Sequence, residues 1–470
     1  MSPEIVSILA LVAIFAVATV LPINMGALAF VAAFLVGTLA VGMTADDIIA
    51  GFPGGLVLTL IGVTYLFAIA QNNGTVDLLV RGAVRLVRGH IAFIPWVMFA
   101  VTAALTAIGA LSPAAVAIVA PIALGFAARY RINPLLMGMM VVHGAQGGGF
   151  SPISVYGVTV AGVAGDNGLP TGPVALFLGS LLFNLAIALV LFLVLGGRTL
   201  LGRRVGDEEP AESRETVAAG ANVRGHGTAP GPAVGPAVGP ATGARDGGTG
   251  EGASRDSGTG DSEAPGGGPR PRVTVEQVVT LAGLVTLAVL ALAFDLDIGF
   301  VAITIAVVLA LFSAARHKGA VAQISWSTVL LIAGVLTFVF VLQEAGTIDY
   351  VGTAVTGLGS PLLVALLLAY IGAVVSAFAS STAIIGVAIA LAVPFLLAGE
   401  IGAVGVVVAL SVASTIVDVS PFSTNGALVL ANAQTDRDRF YKQLLAYSGI
   451  VVMAGPLIAW LVFVVAPSWL

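Results

Sequence analysis

Residues Gly62–Asp77 read GVTYLFAIAQNNGTVD, and residues Gly334–Asp349 read GVLTFVFVLQEAGTID, 272 positions further along the chain. A second motif, Ser-Pro-x-Ser-x-x-Gly, begins at Ser151 and again at Ser420, 269 positions later. Both pairs keep polar residues in the same order at nearly the same offset, which is not expected by chance even in apolar sequence. We therefore interpret the chain as two similar halves that arose by duplication.

Apolar residues make up 58% of the 470 positions, and charged residues only 9%. Soluble globular proteins carry roughly 25% charged residues, so most of this surface must face lipid. Each half contains several apolar runs that are long enough to cross a hydrocarbon core of ~30 Å as helices. The sequence thus predicts an all-α polytopic membrane protein. It contains no cysteine, which excludes disulfides, thiolate metal ligands and a cysteine nucleophile.

The composition changes once along the chain. Residues 202–271 are rich in Gly, Pro, Ala, Ser and Thr, and they include the low-complexity run GPAVGPAVGPATG. Such a segment cannot bury enough apolar surface to offset its loss of conformational entropy, so we predict that it is disordered. The predicted organisation is an N-terminal membrane repeat at 1–201, a disordered loop at 202–271 and a C-terminal membrane repeat at 272–470.

The distribution of basic residues predicts the orientation. We assign five crossings and one re-entrant hairpin to each half, and we place the central loop in the cytoplasm. All 19 Lys and Arg residues then lie on the cytoplasmic side, as the positive-inside rule requires. Because five is an odd number, the two halves have inverted topology. We predict a multi-pass protein of the cell membrane (plasma or inner membrane) with both termini outside.

Each half contains two places where a membrane helix should be interrupted. Short polar tips at 111–113 and 380–382 separate apolar arms and predict re-entrant hairpins. Stretches rich in Gly, Ser and Pro at Gly144–Gly157 and Ser414–Gly426 predict unwound helices, which are tolerated only where the freed backbone groups are buried in protein or line a cavity. We expect the four interruptions to meet near the midplane, where half-helix N-termini favour an anion and freed carbonyls favour a cation.

Polar side chains at these interruptions are the candidate site residues. Asp418 is the one carboxylate placed at membrane depth, where a charge is costly and often functional; the alternative is a protonated cap of the neighbouring break. His143 is either a neutral histidine bonded between helices or a proton or substrate ligand. The candidate substrate ligands are Ser112, Pro113, Gly148, Gly149, Ser151, Ser154, Ser380, Ser381, Thr382, Ser423, Thr424 and Asn425. The candidate ligands of a coupling cation are Asp418, Ser420, Ser112 and Thr382.

No lysine or arginine is placed in the membrane interior. An anion would therefore be held by backbone N–H groups, helix ends and hydroxyls, and its charge would be balanced by co-bound cations. This favours a symporter that carries a small organic anion with Na+ or H+ as the coupling ion. The sequence lacks motifs for ATP hydrolysis, zinc proteolysis and a serine nucleophile, so we expect no enzyme, no cofactor and no nucleic-acid partner. An anion channel and a non-transporting membrane scaffold are the alternatives from other classes.

Paired hairpins with polar tips, paired unwound helices and an interfacial helix before each hairpin resemble the divalent-anion/sodium symporters of the ion transporter superfamily. Within it, DVSPFSTNGALVLANA at Asp418–Ala433 and the N-terminal stretch resemble the MatC-type malonate/dicarboxylate carriers. The resemblance implies transport of malonate or C4-dicarboxylates, a homodimer and an elevator-like movement.

The hairpin tips differ from the pattern of that superfamily. Its members carry Ser-Asn-Thr at each tip, which holds substrate carboxylate and sodium, whereas here the tips read Leu-Ser-Pro at 111–113 and Ser-Ser-Thr at 380–382. The nearest alternative is thus an inorganic-anion or metalloid permease, or another organic-acid permease, of the same superfamily.

The orientation can be tested directly because the chain has no cysteine. A single Cys placed at Gly247, in the central loop, should resist membrane-impermeant thiol reagents in intact cells, because the positive-inside rule puts this loop in the cytoplasm. The same Cys should be labelled once the cells are permeabilised. Labelling in intact cells would show that the central loop lies outside and that the predicted orientation is wrong.

Overall fold

The fold was analysed in a computed structural model. It describes residues 2–21, 23–85, 90–204, 273–294, 296–313, 317–347, 350, 360–378, 381–397 and 401–468. Most of the predicted central loop, residues 205–271, lies outside this set, and so does the predicted site residue Ser380.

The first half is a series of ten α-helices. They are α1 (Pro3–Val20), α2 (Met25–Val36), α3 (Ala45–Ala50), α4 (Gly54–Asn72), α5 (Thr75–Arg85), α6 (Phe93–Ala107), α7 (Ser112–Arg129), α8 (Pro134–Gly148), α9 (Val155–Asp166) and α10 (Pro173–Val194). A π-helical turn at Gly37–Val41 extends α2, and a 3-10 turn at Gly197–Leu200 follows α10.

The described residues of the second half form nine further α-helices. Its helices are α11 (Val275–Ala293), α12 (Ile298–Phe312), α13 (Trp326–Glu344), α14 (Pro361–Phe378), α15 (Ser381–Leu397), α16 (Ala403–Ile416), α17 (Thr424–Ala431), α18 (Arg437–Trp460) and α19 (Ala466–Ser468). A 3-10 turn at Ala320–Gln323 precedes α13, and a π-helical turn at Leu461–Val465 extends α18. The described residues form no β-strand.

The helices are those of a multi-pass membrane protein. Within the described ranges, α4, α7, α10, α13 and α18 are long and apolar enough to cross a bilayer. Large apolar side chains on α10 point outward, among them Leu182 and Val190, which are 60% and 58% exposed. Such a surface is stable only in contact with lipid. The predicted all-α polytopic class is confirmed.

Two small apolar cores each combine elements of both halves. One joins α1, α2 and α3 with α13 of the second half. The other joins α11, α12 and the turn before α13 with α4 of the first half. The helices α4 and α13 occupy equivalent positions in the two halves. In each core the first helices of one half pack on the α4 or α13 helix of the other half, as expected if the two halves arose by duplication.

Glycines allow the close helix crossings in both cores. A Cβ atom on Gly334 would overlap the backbone of Gly26, and one on Gly26 would overlap the carbonyl of Leu330. In the other core, a Cβ on Gly62 would crowd the carbonyl oxygen of Gly299. Small residues at such crossings let membrane helices approach backbone to backbone. Gly334 lies 272 positions after Gly62, and Gly299 lies 273 positions after Gly26, so the two crossings are related by nearly the offset of the duplicated sequence.

The largest core contains the predicted hairpins and interrupted helices. The arms α6 and α7 both pack on α8, and the arms α14 and α15 both pack on α16. Helices from opposite halves then cross: α17 packs on α7, and α9 packs on α15. Each hairpin therefore contacts the interrupted helix of its own half and the short helix that follows the break in the other half.

The glycine-rich part of the first break has a different role from the predicted one. We expected Gly144–Gly157 to be unwound, but α8 continues through Gly148. A Cβ on Gly144 would overlap the carbonyl of Phe99 on α6, and one on Gly148 would overlap that of Ala103. Spaced one helical turn apart, these glycines let α8 pack closely against the hairpin arm. The break itself is shorter and begins at Gly149.

The crossing of α2 and α13 gives a test of the packing. Gly334→Ala should lower the free energy of unfolding by about 1–3 kcal/mol, as overpacking typically does. Gly55→Ala is a matched control, since Gly55 is also helical but a methyl group attached there would meet no atom within 4 Å. Thermal unfolding of the purified proteins in detergent measures both. Equal melting temperatures for the two variants would contradict the crossing.

Candidate functional site

Serine side chains satisfy the backbone at the second break, which separates α16 from α17. Ser423 precedes α17; its hydroxyl donates to the carbonyl of Ser420 at 2.7 Å and accepts from the N–H of Gly426 at 3.3 Å. The hydroxyl of Ser420 accepts from the N–H of Ser423 at 3.1 Å and donates to the carbonyl of Ala377 on α14 at 3.2 Å. The break is thus capped and tied to the first arm of its own hairpin.

The first break is built in the same way. Ser154 precedes α9; its hydroxyl donates to the carbonyls of Gly149 and Ser151 and accepts from the N–H of Gly157 at 3.2 Å. The hydroxyl of Ser151 donates to the carbonyl of Ala107, at the end of α6. The predicted ligands Ser151 and Ser154 therefore have structural partners that are duplicated in the other half.

A carboxylate and an amide distinguish the second break from the first. The Nδ2 group of Asn425 donates to Oδ2 of Asp418 at 2.8 Å and to Oγ of Ser112 at 2.8 Å. The backbone N–H of Asn425 donates to Oδ1 of Asp418 at 3.4 Å. All three residues are buried. The structure thus joins three predicted site residues, one at the first hairpin tip and two at the second break.

Two helix N-termini meet at this cluster. Ser112 and Pro113 are the first residues of α7, and Asn425 is the second residue of α17. Each helix N-terminus carries the equivalent of about half a positive charge. Asp418 places its carboxyl group beside them. The cluster therefore suits negative charge from a ligand or from Asp418 itself.

The same cluster offers oxygen ligands. The Oδ1 atom of Asn425 is buried and has no hydrogen-bond partner, although leaving such an acceptor unpaired costs about 1–3 kcal/mol. It lies on the side chain that already contacts both Asp418 and Ser112. Hard cations bind carboxylate, carbonyl and hydroxyl oxygens. These three side chains supply one oxygen type each.

The first hairpin tip also reaches the first break. Ser112 lines a narrow recess together with Gly149, Val155 and Tyr156. The tip therefore lies between the two breaks, so three of the four expected interruptions come together. The fourth interruption is the second hairpin tip. It begins α15 with Ser381 and Thr382, whose side chains lie outside the described set, as does Ser380.

Two other predicted ligands lie away from the Asp418 cluster. Thr424, the first residue of α17, is exposed. Gly148 is packed against the carbonyl of Ala103 on α6. The structure accounts for Gly148 through helix packing and brings neither residue into contact with the three clustered side chains.

His143 belongs to a separate buried network. Its Nδ1 atom lies 2.8 Å from Oδ1 of Asn184, and its Nε2 atom lies 2.5 Å from the hydroxyl of Tyr447. The Nδ2 group of Asn184 donates to the carbonyl of Ser180 at 2.9 Å, so its Oδ1 must accept. The network assigns the proton to Nδ1 of a neutral imidazole, and Nε2 accepts from Tyr447. This arrangement favours the structural interpretation of His143.

Asn184 and Tyr447 did not emerge from the sequence as candidates. Asn184 lies within the 22-residue apolar helix α10, and a lone amide in such a helix is a usable signal because lipid does not satisfy it. Tyr447 gives no comparable signal, since its partner is 304 positions away. The network joins α8, α10 and α18.

A large cavity opens beside the first break. Its volume is about 740 Å³, and it is bounded by the α3–α4 connection, α9, the α11–α12 connection and α13. Pro152, within the break, forms part of the lining, and Asp166 and Asp297 are its acidic members. Gln343 of α13 donates to Oδ1 of Asn167 at 2.6 Å across one wall.

Known proteins agree with this architecture. Residues 1–149 match the family model described as the dicarboxylate carrier protein MatC N-terminus. The predicted resemblance is confirmed. The YdaH transporter of Alcanivorax borkumensis, whose crystal structure is described as having an unusual topology, has a similar fold: the TM-score is 0.56 at 14% identity, over 91% of this chain and 87% of that one. No curated protein matches the chain. The chain thus has a fold similar to that of the YdaH transporter, and its first 149 residues are similar to the MatC N-terminus.

The variant Tyr447→Phe tests whether His143 has a structural role or carries a proton during transport. This change leaves Nε2 of a buried imidazole without a donor, so unfolding should become easier by about 1–3 kcal/mol. Tyr441→Phe is the matched control on α18, because Tyr441 contacts Phe422 through its ring. For each of the two variants, we would measure thermal unfolding and the pH dependence of dicarboxylate uptake into proteoliposomes. A shifted pH profile at unchanged stability would instead assign His143 a proton-carrying role.

Proposed function

We propose that the protein is a secondary active transporter that carries small dicarboxylates, such as malonate or C4-dicarboxylates, together with a cation. The match to a dicarboxylate carrier family over residues 1–149 supports the substrate class. The Ser112–Asn425–Asp418 cluster supports the coupling, and it is the observation that carries the proposal. It brings two helix N-termini, a buried carboxylate and an unpaired amide oxygen to one place.

The charges of this cluster explain why a cation would be needed. A dicarboxylate bound at the N-termini of α7 and α17 would lie close to the carboxylate of Asp418, and like charges at this distance repel strongly in a medium of low dielectric constant. The hydrogen bonds that join the three side chains come from neutral groups. A sodium ion or proton on Asp418 would remove the repulsion, so binding of the cation would favour binding of the anion.

The remaining parts of the proposal concern topology and movement. The halves are inverted repeats, α6–α7 and α14–α15 are re-entrant hairpins, and the central segment is cytoplasmic. The acidic cavity beside Pro152 then opens to the outside and gives substrate access to the first break. The body that contains the hairpins moves against the two small apolar cores, and two copies of the chain form a dimer.

Uptake into proteoliposomes tests the coupling. Asp418→Asn removes the charge and nearly keeps the shape, so the cation dependence of malonate or succinate uptake should weaken by at least ~5-fold, the lower end of usual coupling between sites. Apparent substrate affinity should fall too, and it should fall most at low cation, because linkage is reciprocal. Sodium and pH series, run separately, show which ion is coupled.

Asp46→Asn is the matched control, because Asp46 is exposed on α3. Its uptake should equal that of the unaltered protein. Normal cation dependence in a destabilised Asp418→Asn protein would make Asp418 structural. Uptake without saturation or counterflow would indicate a channel, and no uptake of any anion would indicate a scaffold.

A further inference from the structure

The largest core, with its hairpins and interrupted helices, is called the hairpin body below. A second cavity lies where several of its helices end. Its volume is about 500 Å³, and it is bounded by the α7–α8 connection, the end of α10 and the start of α18. Two arginines, Arg131 and Arg439, line it, and its described lining contains no Asp or Glu. Asn133, Thr199, Gln434, Thr435 and Gln443 are its other polar lining residues.

Arg131 occupies a position that normally requires glycine. The N–H of Ile132 donates to the carbonyl of Ala127 at 2.9 Å, the bond that closes a Schellman motif at the end of α7. The residue before Ile132 in this motif adopts a left-handed conformation, and Arg131 does so with φ of 50°. Within the described residues it is the single non-glycine residue with positive φ, and such a conformation is strained for a side chain with a Cβ.

Neighbouring side chains hold this turn in place. Nη2 of Arg203 donates to the carbonyl of Tyr130 at 2.6 Å, and the guanidinium of Arg129 stacks on the Tyr130 ring at 5.5 Å. The turn is therefore fixed although glycine would remove its strain. A backbone outlier that the surroundings maintain points to a role for the residue itself.

The cavity combines this charge with an apolar floor that adjoins the lipid-facing surface. Ile132, Leu200 and Phe440 are buried beneath it. Next to it, Val194 and Leu201 are 74% and 64% exposed. Basic pockets between membrane helices, next to lipid, are suited to anionic lipid headgroups, and the guanidinium fork matches phosphate oxygens.

We propose that this cavity binds a phosphate group, held between Arg131 and Arg439 and supplied by an anionic phospholipid. Arg131 follows the end of α7, whose first residue is Ser112. Arg439 lies in the first turn of α18, which is joined by a short connection to α17, the helix that contains Asn425. A bound phosphate therefore links the end of α7 to the start of α18, and the N-termini of α7 and α17 meet at the Asp418 cluster. Its binding stabilises the hairpin body in the arrangement that forms the cluster.

Thermal unfolding of the purified, lipid-depleted protein tests the proposal. Dihexanoyl phosphatidylglycerol should raise the melting temperature by about 3 °C or more, as a ligand bound only by the folded state does, whereas dihexanoyl phosphatidylcholine should not. Arg131→Gly and Arg439→Gln should each abolish this shift. Arg437→Gln should keep it, because Arg437 begins the same helix but does not line the cavity.

The glycine variant also separates binding from folding. Without lipid, Arg131→Gly should melt at the same temperature as the unaltered protein or higher, because glycine relieves the strain. Inorganic phosphate should raise the melting temperature less than phosphatidylglycerol does. An equal shift would mean that the cavity takes phosphate from a soluble source, and it would overturn the phospholipid as the ligand. Equal shifts with both lipids, a shift retained in Arg131→Gly, or a shift lost equally in Arg437→Gln would overturn the proposal.

Discussion

A helix that stops inside a bilayer frees backbone N–H and C=O groups that lipid cannot hydrogen-bond. Both halves of this chain meet that constraint with the same pair of serines. One serine caps the short helix after the break, and the other ties the break to the first arm of the hairpin. A Cβ on Gly157 or Gly426 would overlap the carbonyl of the tying serine, so glycine completes the motif. Through these serines, each break is held against the first arm of the hairpin in its own half.

The two breaks share a backbone solution but differ in chemistry. At the offset of the serine motif, Asp418 corresponds to Gly149 and Asn425 corresponds to Tyr156. Burying a carboxylate in protein is costly unless it is paired or hydrogen-bonded. Here the side chain of Asn425 and two helix N-termini lie beside the buried carboxyl group of Asp418 and offset part of that cost. The proposed site therefore lies at the break that carries a carboxylate and its amide partner.

Sequence predicted the parts of this structure that depend on local pattern. Apolar run length predicted the helices, and the Gly- and Pro-rich stretches predicted both breaks. The prediction that the glycines of α8 unwind the helix was wrong. Glycine also allows close helix packing, and only the neighbouring carbonyls of α6 show that packing is its role here. The Ser112–Asn425 contact spans 313 positions, and the partners of His143 lie on two other helices. No periodicity or local motif links residues so far apart.

We propose that a cation and a dicarboxylate bind together at the cluster of Ser112, Asn425 and Asp418. Calorimetric titration of succinate or malonate into the purified protein tests it most directly, with sodium replaced by choline at constant ionic strength and with the pH varied in parallel. Binding should be measurable, and its affinity should rise as the concentration of sodium, or of protons, increases. Dicarboxylate binding of equal affinity at every cation concentration and pH, or no binding at all, would contradict it.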